Sequence, residues 1–388
     1  MKQRFLMAMA MPVALALGGC STVSDVVDKV NPFSSSKPQV KIAELPTFNA
    51  TAQIRVLWQA NVGSAGEFTF TPAVVDGAVF AAAKDGSVMR IEDGRQVWRI
   101  SAGQPISGGV GSDGKTVVVG TIKGEVLAFD AATGKEIWKT HTSSDILAAP
   151  ALADGLVIVR SGDSRIFAYD AADGRRRWVY QRNTPALTLR TSVGVLALPG
   201  AIFAGFPGGK LVLINPANGA AAWEGTVALP KGSTELERIA DITSNPAISG
   251  RQACAAAYQG RVACFDLKSG GPMWTKELSS RSGLDLDDRN VYVSDDKGNV
   301  LAFDRETGSS VWKQDKLALR SLSRPLAVGS RVAVGDIQGY VHVIRRDDGS
   351  FAARLATDGS PIAADPQRIP GGFLVQTKNG GLFALAVE

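Results

Sequence analysis

The sequence predicts an all-β chain: an eight-bladed β-propeller of four-stranded antiparallel blades, closed by an N-terminal strand that completes the last blade. Three observations predict it. Seven tryptophans, Trp58, Trp98, Trp138, Trp178, Trp223, Trp274 and Trp312, recur at intervals of 40, 40, 40, 45, 51 and 38 residues. An eighth unit, 41 residues further on, keeps the flanking pattern but carries Ala353 in the tryptophan slot. Each interval holds apolar runs of strand length divided by turn signals, and none has a convincing helical period. Repeats near 40 residues with such contents form a radial array, because one small sheet cannot bury both its faces alone.

From the N terminus, residues 1–19 read as a cleaved secretory signal: Lys2 and Arg4, an apolar run from Phe5 to Leu17, then small residues. The run is too short to span a bilayer. Leu17-Gly18-Gly19-Cys20 resembles a bacterial lipobox, which implies acylation of Cys20 as the first mature residue, and Ser21 after it implies sorting to the outer membrane. Residues 20–51, rich in Ser, Pro and Lys, read as a lipidated N terminus and flexible linker. The propeller then occupies residues 52–388.

The unit at 149–180 shows the grammar most clearly, with strands PALA, LVIV, RIFAYD and RRRWVY separated by Asp154-Gly155, Gly162-Asp163-Ser164 and Asp173-Gly174. Glycine is expected to supply positive φ at each reversal. The last unit, PIAADPQRIP then GGFLVQTKNGGLFALAVE, supplies three strands and stops. Its fourth strand is expected from AQIRVLWQANV around Trp58, which would tie the chain ends together and remove both exposed sheet edges.

The composition offers little chemistry. Formal charge is +5, about +3 once Lys2 and Arg4 leave, with no dense basic patch interleaved with aromatics, so nucleic acid is not the expected partner. Residues 109–116, GVGSDGKT, satisfy a P-loop pattern, but TVVVGTIKGE follows where a helix is required. The two histidines, His141 and His342, stand in different units with no cysteine cluster near either, a poor basis for a zinc site. Cys254 and Cys264 flank a hairpin turn; a cross-strand disulfide and two buried thiols are both compatible with that placement.

The sub-motif D-x-x-x-G-x-x-x-W stands at Asp130/Gly134/Trp138, Asp170/Gly174/Trp178, Asp266/Gly270/Trp274 and Asp304/Gly308/Trp312, with Asn215/Gly219/Trp223 a close variant. On these motifs, residues 52–388 resemble the eight-bladed propellers with pyrroloquinoline-quinone-like repeats. Quinoprotein dehydrogenases share the repeat, but their adjacent cysteines are missing here and the chain holds only one propeller's worth of residues.

Together with the lipobox, the segments RNTPALTLR (182–190) and STELERIADITSNP (233–246) are similar to the partner-binding loops of the BamB family, lipoproteins of the outer-membrane β-barrel assembly machinery. The resemblance implies a noncatalytic scaffold without cofactor. It implies a location on the periplasmic face of the outer membrane, contact with the POTRA region of BamA, and assistance to nascent outer-membrane β-barrels. It carries partner binding onto Leu187, Leu189, Arg190 and Asp241; the family's second acidic residue is replaced here by Thr243. A periplasmic quinoprotein-like dehydrogenase and a glycan-associated structural lipoprotein remain as alternatives.

Propeller geometry adds an argument of its own. Connectors from the outermost strand of one blade to the innermost strand of the next all lie on one face. The two longest repeats place their extra length in consecutive connectors, 181–191 and 224–245, which must therefore sit side by side. Leu187 and Leu189 are apolar where water-exposed residues are expected, a mark of a contact surface. Arg190 and Asp241 are expected to flank them with charge-assisted hydrogen bonds to a partner, or else to pair with each other.

Overall fold

Two-residue turns fold each unit back on itself. Asp76-Gly77, Asp93-Gly94 and Asp154-Gly155 all have positive φ at both positions, the geometry whose twist matches that of paired strands. Glycine does not carry every reversal: in the turn between Arg160 and Ile166 the positive φ falls on Ser164. Gly162 is needed there for another reason, because a Cβ would stand 2.0 Å from the Asp145 carboxylate.

The computed structural model describes residues 41–388, and the expected signal peptide and Cys20 lie outside them. Among the described residues every regular element is a strand, and no helix is long and apolar enough to cross a membrane. The strands form eight four-stranded sheets. Blades one to seven are residues 73–101, 108–141, 151–180, 196–226, 247–277, 283–314 and 326–356. Blade eight takes its inner three strands from 367–387 and its outermost from Ile54–Asn61. Ile54 lies opposite Val387 and Asn61 opposite Gly381, so the chain ends close the ring as expected. Residues 109–116 form a strand, a turn and the start of the next strand, with no helix to face a phosphate.

The tryptophans make the joints between blades. Every outermost strand carries a bulge one residue before the tryptophan slot, at Val97, Ile137 and Val311 for example. In those three blades the bulge leaves the aliphatic residue unpaired and exposed on the rim and re-aims the indole. The indole of one blade then lies on the motif glycine of the next: Trp138 on Gly174, Trp178 on Gly219, Trp274 on Gly308, Trp312 on Gly349. A Cβ on Gly174 would meet Trp138 at 2.6 Å, so the glycine serves the joint as well as its turn. Six indoles also donate Nε1–H to a carbonyl of the neighbouring blade, as Trp138 does to Ala171 at 2.8 Å. Trp58 lies over Gly94 of blade one.

Ala353 now has a cause. An indole there would rest on the turn between the third and outermost strands of blade eight, and no such turn exists, since those two are the last and first strands of the ring. The slot is filled instead from the N terminus, by Ala52 and Ile54 with Val387.

The expected linker ran to residue 51, but its last part is seated on blade seven, and the compact unit begins at Ile42. Thr51 and Ala52 donate their N–H groups to the Ala352 carbonyl, and Phe48 stacks on Phe351 at 5.3 Å. Arg354 covers the Phe48 ring and donates to the Pro46 carbonyl. Beneath this strap is a buried ionic cluster. Arg320 donates to Asp336 at 2.6 Å and to the Ala43 carbonyl at 2.8 Å. His342 Nε2 lies 2.8 Å from the same Asp336 oxygen, while Arg354 Nε donates to His342 Nδ1. An arginine only donates, so Nδ1 is the acceptor and the imidazole proton sits on Nε2, facing Asp336.

Burial holds the His342 pKa below its ordinary value of 6.5, with Arg354 and Arg320 opposing protonation and Asp336 favouring it. The unfolded chain therefore takes up this proton first as pH falls. Stability from this site is fully present above about pH 6.5 and lost below it, by at most about 1.4 kcal/mol per pH unit for one proton. Thermal unfolding measured from pH 7.5 to 5.5 should show a falling midpoint that is flatter in His342→Gln. An equal slope in the variant would place the pH dependence elsewhere.

Candidate partner-binding face

The connector 181–195 enters blade four and the connector 227–246 enters blade five, so both lie on the same face, with the turns between second and third strands. They touch, and Asp241 is what joins them. Its Oδ2 accepts the Leu189 N–H at 2.7 Å and its Oδ1 accepts the Gly208 N–H at 3.1 Å, from the turn of blade four. Arg160, beside it, donates to the Gly205 carbonyl. Burial lowers the Arg160 pKa to about 10, with the Asp241 charge opposing the shift.

The expectation that Asp241 offers its carboxylate to a partner is thus corrected: the residue is only 3% exposed and both oxygens are occupied inside the chain. Nor does Arg190 pair with it. Arg190 Nη2 instead donates to Asp145 at 2.7 Å, from the connector entering blade three. Its side chain is still 67% exposed, which leaves most of its donors open to a partner.

Leu187 is 44% exposed and Leu189 half-buried, so the leucines do not simply pack beneath their own loop. The start of the loop is fixed as well, since Arg182 pairs with Glu224 at 3.0 Å and stacks over Phe206. Thr243, in place of a second acid, donates its hydroxyl to the Arg281 carbonyl. In the second loop Glu237 accepts the N–H groups of Ser233 and Thr234, a local fold that leaves Leu236 projecting.

Asp145, the partner that Arg190 takes in the structure, is a residue that sequence reasoning missed. It stands 45 residues from Arg190 in a different connector, and only the closed ring brings the two together. Its sequence signal is weak, an acid beside an apolar pair in an ordinary connector.

The central channel encloses about 1010 Å³ and is lined by the innermost strands. Its charged groups gather on the side of blades six to eight and are matched among themselves. Arg368 pairs with Asp285 at 2.6 Å and Arg324 with Asp365 at 3.6 Å. Burial raises the Asp365 pKa, against the pull of Arg324. Among the described residues no three His, Cys, Asp or Glu side chains gather to hold a metal ion. Cys254 and Cys264 face each other across adjacent strands of blade five, Cα atoms 4.1 Å apart, with their sulfurs joined. They lie in the core, away from the channel and the connector face.

Fold and face together define an eight-bladed propeller that presents a stiffened apolar loop on its connector face. A family model described as outer membrane protein assembly factor BamB matches residues 84–314. The outer membrane protein assembly factor BamB of Bordetella pertussis is 44% identical over 371 residues, covering 95% of this chain and 93% of that protein. The chain belongs to the BamB family of outer membrane protein assembly factors. The crystal structure of BamB from Moraxella catarrhalis superposes with a TM-score of 0.81 at 29% identity, covering 86% of this chain and all of that one. Quinohemoprotein alcohol dehydrogenase from Comamonas testosteroni shares the fold alone, with a TM-score of 0.66 at 16% identity over 86% of this chain and 76% of that one.

Proposed function

We propose that this chain is a noncatalytic scaffold of the outer-membrane β-barrel assembly machinery, held by lipid on Cys20 at the periplasmic face of the membrane. It binds the POTRA region of BamA through the loop bearing Leu187, Leu189 and Arg190, and so assists assembly and insertion of outer-membrane β-barrel proteins. One observation carries the reading: in a chain of this family, an exposed apolar loop is held in shape by two internal carboxylates, Asp241 and Asp145. A loop ordered before binding loses less entropy on association.

Leu187→Ala and Arg190→Ala should each weaken capture of the BamA POTRA region by roughly 1–4 kcal/mol with little change in the unfolding midpoint. Capture that persists in the combined variant, or falls only when folding fails, would remove this loop as the site. Cys20→Ala should leave a folded propeller but release it from washed membranes of cells lacking its protein partners, because stable attachment needs the acyl chains. Retention of that variant would show another anchor.

A further inference from the structure

Leu187, Leu189 and Arg190 are too few to make a stable contact, which typically buries about 800 Å² on each partner with about 20–30 residues a side. The rest of the surface must adjoin them on the same face. Exposed aliphatics on the rim, such as Val97 and Ile137, are the bulge residues of separate blades and stand apart from one another.

A different arrangement begins at Arg190. A groove of about 530 Å³ runs beside it, with apolar walls from Phe68, Ile122 and Leu147 and a polar edge that includes Glu67 and Thr191. Arg190 lines this groove and also ends the Leu187 loop, so the two are continuous.

The groove is preformed. Phe68 packs edge-on to the buried Phe70, and Lys378 donates to its carbonyl. Ile122, 43% exposed, sits at the tip of a turn closed by the Gly124 N–H on the Thr121 carbonyl. Its charged surroundings favour one sign of ligand. The two acids at hand are already used, Glu67 by Lys84 and Asp145 by Arg190. Lys123, beside Ile122, is exposed and has no ion-pair partner among the described residues.

We propose that this groove is the second part of the partner-binding surface. It takes an apolar side chain with acidic neighbours from the same protein that the Leu187 loop engages, and so it rests on the reading of that loop given above. An apolar group seated there is shielded on several sides, the setting in which a contact residue contributes most. Leu229 and Leu236, beyond Asp241, project instead as separate tips of their loop, 57% and 67% exposed.

The test uses the full-length protein and the POTRA region of BamA as the probe. Ile122→Glu sits at an exposed turn tip and is expected to fold normally, with an unchanged unfolding midpoint. It should weaken capture at least about fivefold, the lower end of what is expected of Leu187→Ala, and a photo-crosslinker at position 122 in native membranes should conjugate to the same protein as one at position 187. If Leu187→Ala weakens capture and Ile122→Glu does not, the groove proposal is overturned while the reading of the loop stands. The same holds if Leu236→Glu is the variant that weakens it, or if position 122 conjugates only to a nascent barrel. Loss of effect at both 187 and 122 overturns the proposal and the loop reading together.

Discussion

Deleting residues 52–60 is expected to lower stability by at least about 5 kcal/mol, more than the truncation of a single buried side chain. The segment is most of the outermost strand of blade eight, and its neighbour is the last strand of the chain. Removing it takes Trp58 from its seat on Gly94 and strips Leu57 and Ala60 from the cluster shared by blades eight and one. Truncating one large buried aromatic alone costs about 3–5 kcal/mol, so Trp58→Ala, at a half-buried position, should fall near or below the lower end of that range. The deletion also opens a strand edge with nothing to cover it, a template for pairing between molecules. Thermal unfolding and light scattering check both consequences. An unchanged midpoint in the deletion would mean that the ring does not depend on this closure.

That closure was legible because the tryptophan period is a property of local sequence: each unit repeats the same strands, turns and indole. The eighth slot was legible only as an irregularity. Nothing near Ala353 says why an indole is absent; the reason is that the next blade lacks the turn on which it would lie. The strap was not legible at all. Phe48 is one aromatic in a Ser- and Pro-rich segment, and its partners Phe351 and Arg354 are about 300 residues away. Sequence pattern reports what a residue's own element needs, while a docked terminus depends on which surface happens to pass beneath it.

The partner face divides the same way. Two long consecutive connectors must be neighbours in any propeller, and the exposure of Leu187 in one of them is what an apolar contact residue would show. Burial inside a connector is a different matter. Asp241 is an acidic residue in a loop, which argues for exposure, yet the neighbouring connector and a turn of blade four each aim a backbone N–H group at its carboxylate. Those donors belong to ordinary residues, Leu189 and Gly208, and backbone groups leave no trace in a side-chain pattern. That placement assigns Asp241 a positioning role in the proposed surface, holding the Leu187 loop through the Leu189 N–H.

Asp241→Ala is therefore expected to act in two ways at once. It leaves the Leu189 and Gly208 N–H groups without their acceptor and removes the opposite charge beside the half-buried Arg160. An unsatisfied buried polar group costs about 1–3 kcal/mol, and relaxation of the loop toward water will recover part of that, so a net loss of about 2–3 kcal/mol is expected. The same relaxation should free the Leu187 loop and weaken capture of BamA without removing any contact atom. Asp241→Asn separates the two effects. It keeps one carbonyl oxygen to accept one of the two N–H groups but loses the charge facing Arg160, so capture should fall less than in Asp241→Ala. Hydrogen exchange at the Leu189 amide should then rise in the order wild type, Asn, Ala, and affinity should fall in that order. If Asp241→Ala weakens capture while the Leu189 amide stays as protected as in wild type, the carboxylate acts on the partner directly and the positioning role is wrong.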